Sequence, residues 1–132
     1  MNYFVDTSAF LAVLDKDDTH HARARTAWSS LLEQRAELVT SNYVLTETIA
    51  IAQHRMGLDA LRIFHYDIVP VLTMEWVSDV LHEKGMSTVL AASRRNLSLV
   101  DCVSFEIMRQ RGIRKAFAFD KHFAEQGFDL IP

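Results

Sequence analysis

Hydrophobic positions fall into short blocks separated by longer amphipathic stretches. The first block, Asn2–Val5, is aromatic and β-branched and predicts a buried strand. Ala9–Leu14 follows at helical density, with Thr7 or Ser8 as its cap. Ala22, Ala24, Ala27, Trp28, Leu31 and Leu32 recur mostly at helical spacing and predict a helix over 18–34. Glu37–Thr40 predicts a second strand. Ser41-Asn42 then caps a helix over 43–56, Gly57 ends it, and Leu58–Tyr66 predicts another helix. The stretch DIVPVLT, 67–73, predicts a third strand, with Pro70 marking an edge position. A helix is expected over 74–94, broken at Gly85, and another from Ser98 to 111, where Gly112 stops it. KAFAF predicts a fourth strand and FDLI a fifth.

Strands therefore alternate with helices almost throughout. That order predicts an α/β fold with a mainly parallel central sheet, helices on both faces and right-handed crossovers. With 132 residues, the expectation is a single domain over 1–132. In an open parallel sheet, sites form beyond the carboxyl ends of the strands, where strand order reverses.

Four acids are placed where such a site would gather them. Asp6 follows the first strand and Asp120 follows KAFAF. Glu47 has Val44 at i−3, Ala50 at i+3 and Ile51 at i+4, and so falls on an apolar helix face. Asp101 has Leu97 at i−4, Phe105 at i+4 and Met108 at i+7. Three have ordinary alternatives: a loop or cap acid at Asp6, a turn residue at Asp120, a capping box in Ser98-Leu99-Val100-Asp101; Glu47, mid-helix with no basic residue at i±3 or i±4, is the hardest to dismiss. A carboxylate on a core-facing stripe is costly to desolvate without compensation. Several together do not all stay ionised without a cation. Hard oxygen donors suit Mg²⁺ or Mn²⁺, and such a metal typically serves phosphate chemistry by activating water and stabilising charge.

FVDTSAFLAVLD, TSNYVLTET, LSLVDCVSFEIMRQRGI and AFAFDKHFAEQGFDLIP, in this order and spacing, resemble a PIN domain of the VapC type across essentially the whole chain. The resemblance implies a PIN-like sheet ordered 3-2-1-4-5, with Asp6 and Asp120 on adjacent strands. It implies an Mg²⁺- or Mn²⁺-dependent endoribonuclease, typically the toxin of a toxin–antitoxin pair and usually a homodimer. The family's acidic quartet maps onto Asp6, Glu47, Asp101 and Asp120, as catalytic residues and metal ligands. Thr7 and Ser8 match the small hydroxyl residues that follow the first Asp and are candidate substrate contacts. Rivals from other classes are a PIN fold that only binds RNA or protein, and an RNA-processing nuclease that is not a toxin. An aspartyl-phosphate enzyme is disfavoured, because Ser8 stands where its second acid belongs.

Charge adds one refinement. The chain carries −3 overall, but residues 94–122 carry +4. Arg109, Arg111, Arg114 and Lys115 form the obvious basic cluster. Arg111 lies ten residues past Asp101, about 15 Å along a helix, which puts the cluster at the far end of the sheet. Arg94, Arg95 and Lys121 flank the acids instead and are the candidate RNA phosphate contacts. A single cysteine, Cys102, excludes an internal disulfide. No membrane span or basic leader is visible, so a cytoplasmic protein is expected. His20-His21, His122, Trp28, Trp76 and the HEKG stretch are set aside as solvated, packing or incomplete signals. His122 in particular is read as equally suited to strand-end packing or to touching substrate.

Overall fold

A computed structural model describes residues 1–132. It contains β1 (Asn2–Val5), α1 (Thr7–Leu14), α2 (His21–Glu33), β2 (Glu37–Ser41), α3 (Asn42–Met56), α4 (Leu58–Ile63), β3 (Thr73–Glu75), α5 (Asp79–Ala92), α6 (Leu99–Arg111), β4 (Lys115–Phe117), α7 (His122–Glu125) and β5 (Asp129–Ile131). The five strands form one sheet, ordered β3-β2-β1-β4-β5. Every pairing is parallel. Parallel strands are covered on both faces, which is why β1 reads as an unbroken apolar run rather than an alternating one. Phe4, Val5, Val39, Ala116 and Phe117 are fully enclosed at the centre of a 26-residue core.

Local chemistry sets most boundaries. Ser41 caps α3 by accepting from the Val44 N–H, and Gly57 at φ 84° ends it. Ser98 caps α6, and Gly112 in the left-handed region closes it. The cap of α1 is Asp6 rather than Thr7 or Ser8, because the Asp6 carboxylate accepts the Ser8 N–H.

Two boundaries depart from the sequence pattern. The expected strand over 67–73 is instead a π-type turn, Phe64–Ile68, followed by a 3-10 turn, Val69–Val71, with Pro70 near its start. Pro fits the first turn of such a helix because its missing N–H is not needed there. The third strand is the short Thr73–Glu75, so the next helix begins only at Asp79, behind a Ser78 cap. Nor does Gly85 break α5. It is buried, and a Cβ built there would lie 2.5 Å from Val103 Cγ2 and 3.0 Å from Leu99 Cδ1. Glycine is thus the contact point that lets α5 lie close against α6.

Candidate active site

The order 2-1-4 at the sheet centre places β1 beside both β2 and β4, so the strand order reverses there. Phe4 lies opposite Ala116 and Val5 opposite Phe117, and the Asp6 N–H donates to the Phe117 carbonyl at 3.1 Å. Asp6 therefore leaves the sheet at the carboxyl end of β1, next to the segment that carries Asp120. The first turn of α6 delivers Asp101 to the same place.

Each aspartate is held by its own local motif. The Ser8 hydroxyl donates to Asp6 Oδ2 at 2.7 Å, and the Ser8 N–H donates to the same oxygen at 3.1 Å. Ser8 Oγ also accepts the Phe119 N–H at 2.9 Å, which ties α1 to the strand leading to Asp120. Asp101 sits in a complete capping box: its N–H donates to Ser98 Oγ at 3.0 Å, and its Oδ2 accepts the Ser98 N–H at 3.2 Å. Asp120 Oδ1 accepts the His122 N–H at 2.9 Å.

The electrostatics are those of an uncompensated acidic pocket. Asp6 is 4% exposed and Asp101 7%. Burial pushes the Asp6 pKa up to about 7; hydrogen bonds from Ser8 oppose the rise, and Asp101 and Asp120 add to it. Burial raises Asp101 as well, with Asp120 second. No Lys or Arg forms an ion pair with any of the three aspartates. The one titratable base against them is His122, whose Nδ1 lies 3.2 Å from Asp120 Oδ1 and 3.4 Å from Asp101 Oδ2. Ligand atoms of Asp101, Asp120 and His122 all lie within 4.8 Å of one another. Two carboxylates with an unpartnered imidazole fit the donor set of a divalent cation, while Asp6, outside that tight group, is near enough for Asp101 and Asp120 to raise its pKa.

The remaining expected site residues divide. Glu47 is half-buried on the second turn of α3 and is outside that tight cluster. Its neighbour Thr48 touches Thr7, hydroxyl to hydroxyl at 3.2 Å, so this turn of α3 borders the start of α1. Thr7 is not free to meet substrate: it is 5% exposed and its hydroxyl donates to the Val44 carbonyl at 3.5 Å. Ser8 likewise spends its hydroxyl on Asp6 and Phe119, which makes it a positioning residue. Arg94 is exposed and paired with Glu125 at 3.5 Å, whereas Arg95 and Lys121 are exposed without a salt bridge. Arg111 is paired with Glu75 at 3.0 Å and Arg109 donates to Gln126 at 2.8 Å. His122, set aside in the sequence, is the residue the fold adds; its spacing in D-K-H, just after a strand-end acid, is the signal that points to it.

Residues 3–129 match the PIN domain model, and the chain belongs to the PIN domain family. The 23S rRNA-specific endonuclease VapC20 of Mycobacterium tuberculosis is 34% identical over 126 residues, spanning 95% of this chain and 94% of that protein. The crystal structure of M. tuberculosis VapC20, described as a sarcin-ricin-loop-cleaving toxin, superposes with a TM-score of 0.83 at 32% identity, covering 98% and 99% of the two chains. FitAcB from Neisseria gonorrhoeae shares the fold at a TM-score of 0.69 and 13% identity, covering 100% of this chain and 97% of that one. VapBC2 from Rickettsia felis, solved bound to a promoter DNA fragment, does so at 0.70 and 10%, covering 98% and 97%. No helix is long and apolar enough to cross a membrane.

Proposed function

We propose that this protein is a metal-dependent endoribonuclease acting as the toxin of a toxin–antitoxin pair, with ribosomal RNA as the first substrate to test. The observation that carries the reading is the convergence of Asp6, Asp101 and Asp120, from three separate elements, at the carboxyl ends of β1 and β4 without a neutralising Lys or Arg. A pocket that served only to pack the core would not retain three neighbouring carboxylates at this cost. The similarity to VapC20, over nearly the full length of both chains, supports the RNA substrate class.

Asp6, Asp101 and Asp120 would hold Mg²⁺ or Mn²⁺, and Glu47, on the turn of α3 that borders the start of α1, would orient water. When bound, the cation supplies Lewis-acid charge to the phosphodiester and lowers the pKa of water. Ser8 fixes the Asp6 carboxylate in one rotamer, and the capping box does the same for Asp101. Arg95 and Lys121 draw RNA phosphates toward a site whose own charge repels them.

An antitoxin and a second copy of the chain are the proposed partners. Leu58, Ile63 and Tyr66 are 56%, 51% and 70% exposed, and Leu58 and Tyr66 line a groove of about 270 Å³ with Ile49 and Leu61. Clustered exposed apolar residues of this kind suit a protein partner.

The test is cleavage of 23S rRNA by the purified protein with Mg²⁺ or Mn²⁺, with a chelator, and with the Asp6→Asn variant. Cleavage that needs the metal and vanishes in a folded Asp6→Asn protein is expected. Undiminished cleavage by that variant would sink the reading.

A further inference from the structure

His122 is 8% exposed, yet neither ring nitrogen makes a hydrogen bond. An imidazole buried with both nitrogens unpaired is costly, because each missing partner leaves a desolvated polar atom. The residue is not far from acceptors. Its Nδ1 lies 3.2 Å from Asp120 Oδ1 and 3.4 Å from Asp101 Oδ2. Those approaches satisfy a charge-contact distance but not hydrogen-bond direction, so the nitrogen sits beside the two oxygens rather than pointing at either.

That arrangement has a specific physical meaning. Donor atoms that share one cation point at the ion, not at each other. With donor–metal distances of about 2.1 Å, adjacent donors lie about 3.0–3.4 Å apart in octahedral or tetrahedral geometry. Both His122 separations fall in that interval. The other nitrogen, Nε2, faces Glu125 Oε1 at 3.9 Å, and Glu125 is itself paired with Arg94 at 3.5 Å. At 3.9 Å that carboxylate is too far to accept a hydrogen bond from Nε2.

We infer that His122 Nδ1 is a direct metal ligand, completing an Asp101–Asp120–His122 set. This rests on the metal site proposed above and deepens it. Nitrogen donors favour transition metals over Mg²⁺, so the site takes Mn²⁺ in preference to Mg²⁺.

The experiment uses the full chain and Mn²⁺ alone, without RNA. Pulsed electron paramagnetic resonance on the Mn²⁺-loaded protein reads ¹⁴N modulation from a directly bound imidazole. Modulation is expected in the native protein and absent in His122→Gln. By calorimetry, His122→Gln should weaken Mn²⁺ binding tenfold or more while changing Mg²⁺ binding several-fold less. Stoichiometric Mn²⁺ binding without ¹⁴N modulation in the native protein would overturn the histidine ligand and leave the carboxylate site standing. Modulation that persists in a folded His122→Gln protein would assign the nitrogen to another residue and also overturn it. No Mn²⁺ binding at all would overturn both readings. If His122→Gln fails to fold, the native spectrum alone decides whether a nitrogen is bound, and His122→Asn carries the comparison.

Discussion

Ser98 and Asp101 hold each other reciprocally: the Asp101 N–H donates to the Ser98 hydroxyl at 3.0 Å and the Ser98 N–H donates to the Asp101 carboxylate at 3.2 Å. One side chain thus serves as the third helical residue of a capping box and, in the proposed reading, as a site acid. The roles separate by substitution. Ser98→Ala removes a cap and should cost about 1 kcal/mol of stability with most cleavage retained. Asp101→Asn keeps an oxygen for the Ser98 N–H, removes a charge beside Asp120, and should abolish cleavage while leaving the metal-free protein as stable or more so. Thermal melts and a cleavage assay on both variants check this; equal, modest losses of activity would reduce Asp101 to a cap.

Asp6 gives a pH signature. Its folded pKa, about 7, stands above the ordinary 3.8, so between those values the folded protein keeps a proton that the unfolded chain releases. The stability this confers is fully present below pH 3.8 and is lost as pH rises to about 7, on the order of 4 kcal/mol at most. Metal-free native protein should therefore lose stability across that window relative to Asp6→Asn. Denaturant titrations of the two proteins at pH 5 and 8, with chelator present, measure the difference; identical pH slopes would contradict it.

Ser8 acts through Asp6. Its two hydrogen bonds to Oδ2 lower the Asp6 pKa against burial. Ser8→Ala should raise that pKa further, move the pH dependence of Mn²⁺ binding to higher pH, and loosen the Phe119 tether. Mn²⁺ titrations at several pH values read the shift, which a purely structural serine would not produce. Restoration by Ser8→Thr would confirm that the hydroxyl is responsible.

RNA binding should depend on Arg95 and Lys121 more than on Arg111 or Arg114. Arg111 is already paired with Glu75, and Lys121 immediately follows Asp120. In a cleavage-dead background, removing either phosphate-binding cation should reduce the salt slope by about 0.7 on single-stranded RNA without changing sequence preference. Binding titrations across salt concentration test the ranking. The reverse order would place the RNA at the other end of the sheet.

The readability of this chain follows where its information is local. Ser41, Gly57, Ser98 and Gly112 announce α3 and α6 because caps are short-range chemistry. Asp6 and Asp120 are legible as strand-end acids once strands and helices alternate, but their adjacency follows only from the strand order that the PIN resemblance implies. The segment 67–73 misleads because a short apolar run around Pro70 suits an edge strand as well as irregular helical turns, and only tertiary packing of Phe64 and Ile68 decides. Thr7 and Ser8 are legible as important but not in role, since hydroxyl direction is set by Val44 and Phe119, which are distant in sequence. His122 is only half legible for the same reason: its D-K-H spacing hints at a role, but nothing nearby in the chain says that Asp101 arrives beside it.

Gly85 touches none of the acids, yet the metrics of the pocket pass through it. Any side chain there meets Val103 and Leu99, on the first two turns of the helix that presents Asp101. Pushing that helix outward by even a methyl's width would separate Asp101 from Asp120 and His122. If the proposed toxin activity holds, a genetic selection for survivors of this protein's expression should therefore recover soluble, full-length escape alleles at codon 85 as well as at the acidic codons. Such alleles would be silenced by geometry rather than by missing chemistry, and second-site reversion by a smaller residue at 103 would distinguish them.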